Sequence, residues 1–347
     1  MKHKSAYWKP LRAPVNVTWE ITAKCNLCCR HCLSADVEKD PNQELDHNQC
    51  RAFIEELHRI EVFQINFGGG EPFLREDFSD ILAYAHLKGI TTCVSTNGTT
   101  LDEGLAKRLS GMDLLRIQVS LDGATPDTND EIRGAGSFDK AVRGIELLKK
   151  HDFPNLSINT VVTGKNFGEI DQLCALAGYY GAGTRLSRFR PSGNARQKWN
   201  YYRLEKEQLS ELSEFLGAHP EILTGDSFFS ITDERRRKLG LNLCGAARMT
   251  CSVLPDGSVY PCAFLRDAPF KAGNITRERL DSIWIHSPVL KKIREIRIGV
   301  CEDCCRYPTC HGGCPAVAYY LTKSLDQADP ECIASFRGEI LNHAETV

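Results

Sequence analysis

Between residues 15 and 190 one unit recurs six times: a short β-branched or apolar run, then in most cases a stretch with helical spacing. No other feature limits the fold so much. The runs are "VNVTWEI" (15–21), "FQINFGG" (63–69), "ITTCVST" (90–96), "LLRIQVSL" (114–121), "LSINTVVT" (156–163) and "RLSRFR" (185–190). Helices are expected over 46–60, 78–88, 102–109, 137–151 and 168–180. In the first, Phe53, Ile54, Leu57 and Ile60 share an apolar face, and Ser137 stands where an N-cap is expected before the fourth. Near-continuous apolar strands alternating with helices imply a parallel sheet buried on both faces and curled towards a barrel. The expected class is α/β, a partial (β/α)6 TIM-like barrel over 15–225 after an N-terminal extension, 1–14.

Such a sheet places ligands at the carboxyl ends of its strands. Four motifs fall there: "KCNLCCRHC" (24–32) after the first strand, "GGGEP" (68–72) after the second, "STNG" (95–98) after the third and "SLDG" (120–123) after the fourth. Loops far apart in sequence would therefore line one pocket. Beyond residue 190 the pattern changes. "RPSGNARQKWNYY" reads as a loop, a helix is expected over 205–217, and from Cys244 the chain is rich in cysteine with short strands and turns. A boundary is expected near residue 225, with 226–347 forming a small cysteine-rich domain and tail. Its "LPDGSVYPC" (254–262) reads as a β-hairpin turning at Asp256 and Gly257.

The chain has 43 basic and 45 acidic residues in 347, a balance that gives no electrostatic case for nucleic acid or an anionic membrane. The run Arg235–Lys238 reads as a solvated helix face. "MKHKSAYWKPLRAP" lacks an apolar signal core, and no window reaches the ~18 apolar residues of a membrane span. A cytoplasmic location follows, and in a reducing compartment sixteen cysteines point to metal or redox chemistry rather than disulfides.

In the opening cysteine stretch Cys25, Cys29 and Cys32 have the spacing CxxxCxxC, which Cys28 interrupts. Three thiolates on a 4Fe-4S cubane leave one iron open to a ligand; zinc is the alternative metal for such thiols. The spacing resembles that of the radical S-adenosylmethionine (radical SAM) family. That resemblance implies that Gly68, Gly69, Gly70 and Glu71 meet the methionyl amine, with Glu71 offsetting its positive charge. It further implies that Ser95, Asn97, Ser120 and Arg133 hold the ribose and carboxylate. Ser and Asn at strand ends also commonly satisfy backbone groups.

Towards the C-terminus, Cys244, Gly257 and Cys262 precede Cys301, Cys304, Cys310 and Cys314 in the pattern CxxCxxxxxCxxxC, with Cys332 beyond. This resembles the SPASM extension of peptide-modifying radical enzymes. The resemblance implies two auxiliary 4Fe-4S clusters, on Cys244, Cys251, Cys262 and Cys314 and on Cys301, Cys304, Cys310 and Cys332, making three with the tripod. Cys50, Cys93 and Cys174 read as inert core thiols. Cys28 and Cys305 adjoin ligands without being assigned, and His31 and His311 read as incidental neighbours rather than ligands.

"PVNVTWEITAKCNLCCRHCLS", "IRGAGSF", "RLSRFRPSG", "LTGDSFF", "LNLCGAARMTCSVLPDGSVYPCAF", "FKAGN" and "DPEC" together resemble the mycofactocin radical SAM maturases, over about residues 13 to 335. That family implies reductive cleavage of S-adenosylmethionine to a 5'-deoxyadenosyl radical, fed by an external one-electron reductant. Its substrate is a ribosomal precursor peptide ending in Val-Tyr. The terminal tyrosine is oxidatively decarboxylated and the preceding valine then joined to it through carbon. Fourteen residues before the first strand are too few for a fused recognition domain, so a separate small leader-binding protein is expected. Arg188, Arg190 and Tyr201 follow the sixth strand, where a peptide carboxylate or phenol would sit, although surface pairing explains them as well. Competing readings are another SPASM peptide maturase, a sulfatase-activating enzyme or a haem-pathway decarboxylase, and, outside enzymes, a zinc-stapled binding module.

Overall fold

A computed structural model of the chain describes residues 11–36, 43–224, 244–304 and 307–333. Most of the N-terminal extension, the run Arg235–Lys238, the boundary near residue 225, most of "LTGDSFF" and Cys305 lie outside them. Six strands form in the expected places: β1 Asn16–Thr22, β2 Gln64–Gly69, β3 Thr91–Thr96, β4 Leu115–Ser120, β5 Leu156–Val162 and β6 Gly183–Arg188. Each pairs in parallel with the next. The crossovers carry α1 His47–Arg59, α2 Phe78–Leu87, α3 Glu103–Leu109, α4 Pro126–Arg133, α5 Ser137–Lys150 and α6 Ile170–Tyr179, and α7 Ala195–Tyr202 and α8 Lys206–Ala218 follow β6.

The sheet curls without closing. A hairpin of β7 Thr250–Val253 and β8 Ser258–Tyr260, with β9 Gly273–Asn274 beyond it, adds to the free edge of β1, giving the order β6-β5-β4-β3-β2-β1-β7-β8-β9. The hairpin turns at Asp256 and Gly257, whose φ of 80° is open to glycine. Cysteine-rich and barrel portions thus share one sheet.

The expectation of strands buried on both faces is corrected. Val17 and Trp19, Ile65 and Phe67, Ile117 and Val119, and Ile158 are buried on one face. The opposite face carries Asn16, Thr18, Gln64, Asn66, Gln118, Ser120, Ser157, Asn159, Arg185 and Ser187, all half-buried. A curled sheet needs apolar side chains only where helices cover it; its inner face lines a polar hollow. The apolar face is fastened by Trp19, set edge-on to Phe53 of α1 at 4.9 Å, and by Phe67, 5.3 Å from Phe78 of α2. Helix α1 presents Phe53, Ile54 and Leu57 inward, as its spacing requires, and opens with a reciprocal cap between Asp46 and Gln49. Ser137 proves to be the first residue of α5, with Gly136 at the cap. Among the described residues no helix is long and apolar enough to cross a membrane.

Candidate functional site

The carboxyl ends of β1 to β4 meet around the loop that carries Cys25, Cys28, Cys29 and Cys32. Its first half is tied to "GGGEP" through main chain: Gly70 N donates to Thr22 O (2.8 Å) and Glu71 N to Lys24 O (2.7 Å). A Cβ on Gly70 would stand 1.9 Å from Lys24 O, so this close approach requires glycine. Gly68 differs, because a Cβ there would meet nothing within 4 Å. The chain's own packing does not demand that glycine; the open space above it suits a ligand that comes close to backbone.

Asn26, which the sequence reading passed over, fixes the middle of the loop. It donates to Thr99 Oγ1 and accepts from Asn97 Nδ2, both at 2.8 Å. Asn194, just ahead of α7, fixes the far end by donating from its backbone to Cys32 O (3.0 Å) and from Nδ2 to Cys29 O (3.1 Å). Arg266, which follows β8, pairs with Glu20 of β1 at 2.5 Å and donates to Leu33 O at 3.1 Å. The cysteine-rich portion is thereby fastened to β1 and to the residue that follows the cysteine loop.

Glu71 was expected to offset a cofactor ammonium. Its side chain is instead fully buried, and both oxygens are engaged: Oε1 accepts from Thr96 Oγ1 (2.7 Å) and Phe73 N (3.3 Å), Oε2 from Asn97 N (2.7 Å). Burial pushes its pKa up to about 7 against these hydrogen bonds. In this arrangement it buttons "STNG" to "GGGEP". Asn97 is buried beneath the cysteine loop, whereas Ser95 is exposed and Ser120 half-buried on the hollow face.

Cys25 and Cys28 are exposed, Cys29 and Cys32 partly buried. Burial lifts the Cys29 thiol to about 11, Arg133 draws it back, and Cys32, Asp122 and Cys25 raise it further. Cys29 is thus within electrostatic reach of both Cys25 and Cys32, and its Sγ lies 3.8 Å from Arg133 O. Arg133 joins a buried hub. Asp122, with no exposed surface, takes Arg133 Nε at 2.6 Å and His31 Nε2 at 2.9 Å, and accepts from Val161 N at 2.7 Å. Burial opposes its charge, but Arg133 and His31 prevail and hold its pKa at about 2. His31 therefore clamps the cysteine loop to β4. The signal was an acid ending an apolar strand, which has to find cations once buried.

The remaining cysteines fall into sets. Cys301 is within electrostatic reach of Cys304, Cys310 and Cys332, and Cys310 of Cys332, and burial raises Cys301 to about 11 and Cys310 to about 12. Cys262 is similarly close to Cys244 and Cys314. Cys251 is not brought in with these three. It pairs in register with Val17 on the helix-covered face, fully buried beside Arg294, with its pKa pushed up to about 12 by burial. Among the described residues no three Cys, His, Asp or Glu side chains converge tightly enough to enclose a single ion. No disulfide joins the described cysteines, and the tripod fits a three-thiolate cluster in donor type and exposure. Cys50 is buried in the apolar core, as expected of a core thiol, whereas Cys93 is buried on the hollow face, where Gln118 Nε2 donates to its sulfur at 2.9 Å, and Cys174 is partly buried against the apolar cluster that Cys310 also touches.

Arg188 is not at the surface. It pairs with Asp329 and with Glu331 (2.5 Å), all three buried, while Asp329 Oδ2 accepts from Cys314 N (3.0 Å). Tyr201 is exposed, with Glu131 Oε1 3.3 Å from its hydroxyl, and Arg190 stacks 4.1 Å over the Phe264 ring.

Comparison with known proteins agrees with this arrangement. The Radical SAM superfamily matches residues 19–177, and the SPASM iron-sulfur cluster-binding domain matches 244–306. The mycofactocin maturase MftC of Mycobacterium ulcerans is 42% identical over 94% of this chain and 89% of its own length. An AdoMet-dependent heme synthase of Methanosarcina barkeri is 31% identical over 92% of this chain and 97% of its own. Among solved structures, Streptococcus suis SuiB bound to the precursor peptide SuiA superposes with a TM-score of 0.75 at 17% identity, covering 93% of this chain and 76% of that one.

Proposed function

This chain belongs to the mycofactocin maturase family of radical SAM enzymes with a SPASM domain, and on that premise we propose that it oxidatively decarboxylates the C-terminal tyrosine of a precursor peptide ending in Val-Tyr, then bonds the preceding valine to the product. The observation that carries this reading is likeness at 42% identity along nearly the whole chain, well beyond the cysteine motifs. A polar hollow on the inner face of the sheet, with the cysteine loop at the carboxyl ends of its strands, supports it as a place for a peptide end.

Cys25, Cys29 and Cys32 would hold the cluster whose open iron takes S-adenosylmethionine, with Gly68 leaving room for the cofactor's amino-acid end. When bound, that pair supplies a hydrogen-abstracting radical. The protein's part is positioning and exclusion of water. Asn26, Asn194 and the His31–Asp122–Arg133 hub fix the cysteine loop, and Glu71 fixes the two loops beneath it. Cys244, Cys251, Cys262 and Cys314 would hold one auxiliary cluster and Cys301, Cys304, Cys310 and Cys332 another. Either would give the substrate's second electron an exit, and Cys251 would have to turn from its core position to join the first set. A small leader-binding protein and an external reductant complete the system in the cytoplasm.

Mass spectrometry tests the proposal after anaerobic incubation of reconstituted enzyme with reductant, S-adenosylmethionine, leader-binding protein and precursor peptide. Loss of carbon dioxide together with two hydrogens from the terminal tyrosine is expected. An unchanged peptide alongside 5'-deoxyadenosine would reject the substrate and turn attention to the haem-synthase likeness.

A further inference from the structure

Desolvated arginines in this fold find partners: most have an anion, and Arg294 donates to the carbonyls of Ala247 and Trp284. Arg188 has Asp329 and Glu331, Arg133 has Asp122, Arg266 has Glu20 and Arg75 has Asp77. Arg185 does not. It stands on β6 opposite Asn159, which stands opposite Ser120 on β4, and parallel partners share a face. Its side chain therefore belongs to the polar hollow. The groups in electrostatic reach there are the Cys93 thiol and the second cation Arg190; among the described residues no carboxylate pairs with Arg185 and no side chain hydrogen-bonds its guanidinium.

Burial and the repulsion of Arg190 lower its pKa, yet a guanidinium stays charged in a protein. A half-buried cation without a counter-charge works against folding. A chain that keeps one in its binding hollow has a use for an incoming anion.

We propose that Arg185 receives the C-terminal carboxylate of the peptide substrate, an inference that rests on the function proposed above. Its planar fork offers two parallel N–H donors to the two oxygens of a carboxylate. A main-chain carboxylate exists only at a peptide's end, so this contact would select the terminal residue over the same residue inside a chain. The cofactor also carries a carboxylate, but Arg133 is the arginine beside the cysteine loop, with its carbonyl at Cys29 Sγ. Arg185 lies on the other side of the hollow, where its neighbour Arg190 is in electrostatic reach of Cys244 and Cys262.

The test titrates reconstituted holoenzyme, with S-adenosylmethionine present, with a short fluorescent peptide ending in Val-Tyr, as the free acid and as the C-terminal amide. Wild type is expected to bind the acid at least about tenfold more tightly than the amide. Arg185→Gln should bring the acid down to the amide's affinity and leave the amide unmoved, while Arg185→Lys keeps part of the preference. Because Arg185→Gln removes an uncompensated charge, its Tm should hold or rise; a merely structural residue would lower it. Retained acid preference in Arg185→Gln overturns the proposal. So does a loss of S-adenosylmethionine binding by equilibrium dialysis with the acid preference intact, which would give Arg185 to the cofactor. If wild type processes the precursor but binds acid and amide alike, the carboxylate contact falls and the maturase reading stands. If wild type leaves the precursor unchanged, the maturase reading falls and takes the contact with it.

Discussion

The two halves of the molecule hold their thiols by different means. In the barrel, the loop bearing Cys25, Cys29 and Cys32 hangs from the ends of strands in a nine-stranded sheet, through Lys24 O, Asn26 and Asn194. In the segment from Ile298 to Ile333, among the described residues, there is no strand; Cys310 ends the short helix Tyr307–Cys310 and Cys314 caps the helix Pro315–Thr322, beside a buried charge hub. Asp329 is the centre of that hub. It takes Arg188 from β6, accepts from Cys314 N and, through its carbonyl, from Cys332 N at 3.0 Å. The barrel loop has a geometry that hydrogen bonds set without metal. The later segment has little apolar core of its own and leans on ion pairing and, by our assignment, on clusters.

Removing iron should therefore divide the molecule. Chelation is expected to abolish amide-exchange protection over 298–333 while β2 to β5 keep theirs, and equal loss in both would end the distinction. Arg188→Ala comes next in size. It leaves the buried Asp329 without the cation it pairs with, which should cost about 3–5 kcal/mol in chemical denaturation, with Arg188→Lys recovering part; a cost below about 1 kcal/mol would show that the hub does not hold the segment.

The barrel side has a pH signature. Glu71 is raised from 4.5 to about 7, so its ionisation opposes folding. The stability it contributes is fully present below its unfolded pKa and is lost as pH rises through about 7. Glu71→Gln should flatten that part of the stability profile, a change on the order of 1–3 kcal/mol; an unaltered slope would place the titrating group elsewhere. The smallest effect is expected at the α1 cap, where Asp46→Ala removes the acceptor of Gln49 N and should cost about 1 kcal/mol without touching cofactor cleavage.

Strand positions were readable because β-branched runs such as "LSINTVV" mark them within a residue or two. The polar inner face was readable too, in the alternation of Asn16, Thr18 and Glu20 with Val17 and Trp19, but the apolar half of each strand drew the eye. Helix α4 was missed because "PDTNDEIR" offers Ile132 as its one apolar residue, although Thr125 and Pro126 are good starting residues. Helix α7 was missed although Ala195, Trp199 and Tyr202 have helical spacing, since the glycine and proline before them read as loop. The hubs were beyond sequence. Arg188 and Asp329 are 141 positions apart, and nothing local to either names the other.

The most direct test of the account replaces Cys29 by Ala and measures 5'-deoxyadenosine formation together with iron content, with Cys28→Ala as its counterpart. The account predicts that Cys29→Ala ends cofactor cleavage while the eight auxiliary cysteines still bind iron, and that Cys28→Ala cleaves nearly as wild type. Cleavage that survives in Cys29→Ala, or is lost in Cys28→Ala, would contradict it.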